Sequence, residues 1–192
     1  MKDKALIVMD YINEIIHPEG KFKSKGYAAY AEENNTLSNV AEAVSLARNK
    51  GMEIVYVKVG FSEDYQEQPK NSPLFGKADQ FQALKLGTWA TEFHESLDVR
   101  EEDLQVVKHR ISPFYKTNLD SYLKETGIKD FYLCGVATDL VVQSAARDAH
   151  DRDYNVFVLS DCCAAASAED QENSLKTLAK IAKVGEYRDL LI

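Results

Sequence analysis

An aspartate and a lysine each stand where an apolar run stops. Asp10 directly follows residues 5–9, Ala-Leu-Ile-Val-Met, and Lys108 directly follows residues 104–107, Leu-Gln-Val-Val. If both runs are parallel strands, both side chains sit at the carboxyl edge of one sheet, where open α/β folds place ligands. Mutual attraction keeps such a pair ionised and lets the ammonium orient the carboxylate. The pair can then transfer a proton or stabilise developing negative charge. Plain structural uses compete with this. Asp after a strand commonly caps a turn, and Lys at a strand end is commonly a solvated rim charge.

The elements that would position them alternate in type. Strand-like apolar runs lie at 5–9, 54–57, 104–107, 131–134 and 155–159, with a last short one at 183–184. Helical patterns lie between them at 34–49, 118–125, 143–150 and 168–182. In the first helix, Leu37, Val40, Ala41 and Val44 fall at helical spacing, and Gly51 closes it. This alternation predicts βαβ units and a parallel sheet in an α/β fold. Residues 14–30 and 62–90 are long, polar and punctuated by Gly and Pro, as in substrate-covering loops or oligomer contacts.

Composition narrows the function classes. The chain of 192 residues with 45% hydrophobic content fits one domain over 1–192. A formal net charge of −8 without a basic stripe excludes nucleic acid as the expected partner. No stretch reaches the roughly 18–20 apolar residues of a membrane span, and the first apolar run is too short for a signal-peptide core. Three cysteines, Cys134, Cys162 and Cys163, form no disulfide framework and suit a reducing compartment, so a cytoplasmic location is expected. Cys134 reads as an inert strand thiol. Cys162 and Cys163 follow the fifth strand at the ligand edge and read as small core or turn residues.

Three separated segments carry a family resemblance. Asp10-Tyr11-Ile12-Asn13-Glu14 resembles a D-x-Q-N-D signature, with Ile12 in place of glutamine. The run Lys108-His109-Arg110-Ile111-Ser112-Pro113-Phe114-Tyr115-Lys116-Thr117-Asn118-Leu119 resembles K-x-R-x-S-x-F-x-x-T-x-L over its whole length. Gly135-Val136-Ala137-Thr138-Asp139-Leu140-Val141-Val142 resembles G-x-x-T-x-x-C-V, with valine in the cysteine's place. Together they are similar to the isochorismatase-like hydrolases, the cysteine hydrolase superfamily.

The resemblance implies a Rossmann-like three-layer fold with a sheet of about six strands ordered 3-2-1-4-5-6, flanked by helices. The site falls where that order reverses, between strands one and four. In members with the cysteine, Asp is the base and Lys its partner, and a covalent acyl intermediate forms. Val141 closes that route. The resemblance also implies a cis non-proline peptide before Thr138, with amides at Ala137 and Thr138 able to form an oxyanion hole. Alternatively, Gly135 serves only the close turn. Residues 87–93 resemble the family's glycine-led motif, which makes Trp89, with Phe114 and Tyr115, a candidate for lining the pocket; ordinary packing is the alternative. The metal-binding members have histidines after the second strand, which this chain lacks, so no metal and no cofactor is expected.

Two functions follow. One is a family hydrolase acting on a small metabolite without a thiol, with Asp10 as acid/base and Lys108 as partner. Vinyl-ether hydrolysis, which needs an acid and a water, is its model chemistry. The other is an inactive member that binds a small ligand or a protein partner, with an oligomeric scaffold as its extreme form. The resemblance implies a homo-oligomer in either case.

Overall fold

The computed structural model describes residues 3–191. Six parallel strands form one sheet in the order β3-β2-β1-β4-β5-β6: β1 Lys4–Met9, β2 Glu53–Val59, β3 Leu104–Lys108, β4 Asp130–Val136, β5 Asn155–Ala164 and β6 Lys183–Gly185. The two central strands are apolar almost throughout because both faces are covered, as parallel sheets require. β1 pairs with β2 on one side and β4 on the other, so the winding reverses between β1 and β4.

Helices α3 (Thr36–Asn49), α4 (Leu119–Thr126), α5 (Gln143–His150) and α6 (Ala168–Leu178) connect the strands. α3 buries Val40, Ala43, Val44 and Ala47 on one stripe. It starts two residues later than its periodicity predicts, because Asn35 takes a left-handed conformation (φ 54°) and separates it from α2 (Tyr27–Glu33). The expected loop over 14–30 thus contains α1 (Asn13–Ile16), a short 3-10 turn and most of α2. A last helix, α7 (Tyr187–Leu190), was not legible in the periodicity.

The fifth strand runs five residues beyond its expected end. A register shift opposite Leu133 and Gly135 lets β5 continue alongside β4 to Ala164. Cys162 and Cys163 are therefore interior to a strand and buried, which corrects their placement after it. Residues 62–90 are irregular, with a short 3-10 turn at their end, as expected. They fold on a core of their own, in which Phe61, Tyr65, Phe75, Ala78, Ala83 and Leu84 pack with Ile12 and Val59. That satellite core roofs the carboxyl edge of the sheet.

Candidate active site

Asp10 ends β1 in a left-handed conformation (φ 62°), which a short polar side chain tolerates better than most. Its own N–H still donates to the Val57 carbonyl at 2.8 Å, so the strand is completed while the side chain swings over the sheet edge. There Oδ1 accepts the Val59 N–H at 2.8 Å and Oδ2 accepts Lys108 Nζ at 2.8 Å. Asp10 and Lys108 are only 4% and 1% exposed. The Lys108 ammonium also donates to the Arg110 carbonyl at 3.1 Å. Two of its three protons are thus engaged, and the third has no protein acceptor among the described residues.

Burial and pairing pull the Asp10 carboxyl in opposite directions. Loss of water raises its pKa, whereas Lys108 and the Val59 amide lower it. The burial effect is the larger, so the carboxyl titrates above the ordinary aspartate value.

The pair closes the floor of a cavity of about 360 Å³. Val136, Ala137, Leu140 and Val141 form the β4–α5 side, and Ile15 of α1, Phe22, and Tyr27 of α2 the side from the β1–α3 connection. Phe75, Ala78, Phe81, Ala83 and Leu84 form the roof. At the β4 end, the backbone passes through a cis peptide between Val136 and Ala137 into a wide helical turn, Thr138–Val142, which leads into α5. Gly135 permits this: an added Cβ would lie 3.1 Å from Met9 of β1 and from the Val142 side chain.

The structure brings together Asp10, Lys108, Ala137 and Val141 at one cavity. Thr138 opens that turn and is buried; its hydroxyl donates to Gln171 Oε1 at 2.5 Å, so its side chain is committed to α6 while its amide remains at the start of the turn. Phe114, Tyr115 and Trp89 do not line the cavity, contrary to the expectation above. Ser112 bonds Asp148 of α5 and turns the chain, so Phe114 drops into the core against Phe131, with ring centroids 5.6 Å apart. Tyr115 is 49% exposed, flanked by Arg110 and Lys116. Trp89 is 46% exposed and meets the edge of His17 at 5.1 Å.

No cysteine, serine, threonine or histidine lines the cavity. All three cysteines are buried within strands, their thiols pushed up by burial, as befits inert groups. His109 stacks on Phe61 with Nδ1 2.6 Å from the Gly60 carbonyl oxygen. Among the described residues, no three His, Cys, Asp or Glu side chains converge as a metal-ligand set. The lining residues that the sequence did not single out are mostly on the two long connections. Their length and polarity marked those segments but not the inward-facing positions.

The strand order, and a site at the carboxyl edge where the winding reverses, define a doubly wound α/β protein of the Rossmann-like class. Within that class, the chain belongs to the isochorismatase family: the model of the Isochorismatase domain matches residues 4–188. An uncharacterized isochorismatase family protein, YecD of Escherichia coli O157:H7, is 30% identical over 99% of this chain and 95% of its own length. The ureidoacrylate amidohydrolase RutB of Rhizobium rhizogenes is 30% identical over 83% of this chain and 69% of its own. Among solved structures, a cysteine hydrolase from Pseudomonas syringae pv. phaseolicola superposes with a TM-score of 0.87 at 25% identity, covering 98% of this chain and 91% of that one. No helix among the described residues is long and apolar enough to cross a membrane.

Proposed function

We propose that this protein is an isochorismatase-family hydrolase that acts on a small metabolite without a thiol nucleophile, with Asp10 as acid/base and Lys108 as its partner. Val141 then occupies the position that the nucleophilic cysteine holds in other members. One observation carries the reading: a buried Asp10–Lys108 pair 2.8 Å apart forms the floor of a cavity that no thiol and no Ser or Thr hydroxyl enters. A hydrolase so equipped must activate either water or the leaving group, since an isopropyl group cannot form an acyl intermediate.

Vinyl-ether hydrolysis fits this equipment. Protonated Asp10 gives its proton to the terminal vinyl carbon, leaving an oxocarbenium ion and the carboxylate. Lys108 stabilises that carboxylate. Water adds to the cationic carbon and returns a proton to Asp10, and the resulting hemiketal collapses to a carbonyl compound and an alcohol. One water is consumed and one C–O bond is broken. The upward shift of the Asp10 carboxyl supports the acid role, because a proton donor must still hold its proton near working pH.

The test is turnover of vinyl ethers, isochorismate first, followed by product appearance for the wild type and Asp10→Asn. The expected result is turnover that the substitution reduces by at least about a hundredfold, the usual scale of a lost general acid. Tight ligand binding with no hydrolysis of any vinyl ether, amide or ester would instead assign the chain the role of a binding protein built on the family pocket.

A further inference from the structure

In a chain with a formal net charge of −8, the cavity lining is cationic. It holds three lysines, Lys25, Lys77 and Lys108, against one carboxylate, Asp10. Asp10 is already engaged by Lys108, so the floor is neutral as a pair. Lys25 and Lys77 are exposed, at the open side, and neither ammonium has a carboxylate or hydrogen-bond partner among the described residues. Unpaired lysines are unremarkable when scattered over an acidic surface. Two that line one cavity, neither held in an ion pair, make its exposed side positive.

Both positions are fixed by the chain around them. Lys25 closes a 3-10 turn and precedes Gly26, whose φ is +93° and whose added Cβ would lie 2.2 Å from the Ala166 carbonyl oxygen. Only glycine fits there, and the contact pins the turn against the loop after β5. Lys77 lies between two anchors, Phe75 and Ala78, that are buried in the satellite core. Between the mouth and the floor the wall is apolar, formed by Phe22, Phe75, Phe81, Leu84, Ile111 and Leu140.

We propose that the cavity selects a small anionic substrate with an apolar body: a carboxylate held at the mouth by Lys25 and Lys77, with its hydrocarbon or aromatic portion along the Phe22–Phe75–Leu84 wall and its scissile bond at the floor. The inference rests on the hydrolase reading for what happens at the floor; the selection at the mouth is a matter of charge and stands on binding alone. A neutral amide or ester of the same shape leaves the two ammonium groups unanswered. An anion meets both at close range, where salt screens them only partly. Exposed ion pairs are individually weak, so each lysine contributes modestly and the two act together.

Calorimetric titration of the full chain with 3-phenylpropionate and with 3-phenylpropionamide tests this directly. The acid is expected to bind about tenfold more tightly than the amide, with Lys25→Ala and Lys77→Ala each weakening the acid about three- to fivefold and leaving the amide unchanged. The double alanine variant should close the gap between the two ligands, the double arginine variant should preserve it, and added salt should narrow it. Equal binding of acid and amide by the wild type, absence of binding by both at millimolar concentration, or equal effects of the alanine changes on both ligands would overturn the proposal. The two readings separate cleanly. A lysine-dependent gap without hydrolysis of any substrate removes the hydrolase and keeps the anion selectivity. Hydrolysis that depends on Asp10, with no such gap, does the reverse.

Discussion

Asp10 and Lys108 come from strands that are not neighbours: β2 lies between β1 and β3, and the carboxylate reaches across its end to meet the ammonium at 2.8 Å. On the way it accepts the N–H of Val59, the last residue of β2. Three strands are thus tied at one edge by a single side chain. The tie carries a cost, because burial opposes the charged carboxylate more than Lys108 and Val59 support it.

That cost appears as a pH dependence of stability. The folded Asp10 carboxyl titrates above its ordinary value of 3.8, so the folded state holds this proton longer than the unfolded chain does. The resulting stabilisation is complete below about pH 3.8 and is lost as pH rises through the raised folded value. Asp10→Asn cannot lose the proton. Denaturant unfolding of both proteins across pH should therefore show wild-type stability falling relative to Asp10→Asn in that window, by up to about 1.4 kcal/mol per pH unit. A flat difference curve would show that the ion pair balances desolvation, and one that rises with pH would show that it outweighs desolvation; either would overturn the prediction.

Catalysis should follow the same proton. If Asp10 donates it, kcat/KM is constant at low pH and falls tenfold per unit as pH rises through the carboxyl's folded pKa. Lys108→Met removes the group that most lowers that pKa. The falling limb should then move to higher pH, while the maximum rate drops because the carboxylate left after proton transfer has lost its partner. A limb that stays put in Lys108→Met would mean that another group supplies the proton.

Asp10, Lys108 and the turn at Gly135 were legible in the sequence because strand ends are local: an apolar run stops and a polar residue follows. The order of the strands came from the family resemblance, and the architecture agrees with it. What local pattern does not carry is partnership at long range. The Thr138 hydroxyl is taken up by Gln171 of α6, which accepts its hydrogen bond. Phe114 joins the core because Ser112 is bonded to Asp148, on another helix. Lys25 and Lys77 line the cavity from segments with no periodicity, where nothing in the neighbouring residues tells an inward side chain from an outward one. The extent of β5 depends on an irregular register with β4, which hydrophobic runs do not encode.

The roof of the cavity depends on a buried carboxylate far from it in sequence. Glu14 accepts the Leu84 N–H and, at 3.3 Å, pairs with Lys21, whose ammonium also donates to the Phe81 carbonyl at 3.2 Å and to that of Gln82. Glu14→Ala leaves the buried Leu84 amide without an acceptor, a loss of about 1–3 kcal/mol in stability. Glu14→Gln keeps an acceptor there and loses only a half-exposed ion pair, worth less than about 1 kcal/mol. Hydrogen exchange should accelerate at residues 81–86 in the alanine variant and stay near wild type in the glutamine variant. Unchanged protection in Glu14→Ala would show that the satellite core holds the roof unaided.

On the proposed reading, Val141 stands where a thiol would restore nucleophilic chemistry. Its side chain lines the same cavity as Asp10 and Lys108 and is almost fully buried. Val141→Cys makes a small change in volume, with a cost of about 0.5–1.5 kcal/mol by analogy with the loss of one buried methyl group. A thiol there would lie near a carboxylate able to take its proton and a lysine able to stabilise the thiolate, the surroundings that make a cysteine reactive. Native-state mass spectrometry with iodoacetamide or an activated ester should show one added group on Val141→Cys and none on the wild type, whose three thiols are buried. Combining the change with Asp10→Asn should slow the labelling at least about tenfold, because the thiol's base is gone. A folded Val141→Cys variant whose new thiol is as inert as Cys134, Cys162 and Cys163 would show that this valine does not stand at a nucleophile's position, and the mechanistic role given to Asp10 and Lys108 would lose its chief support.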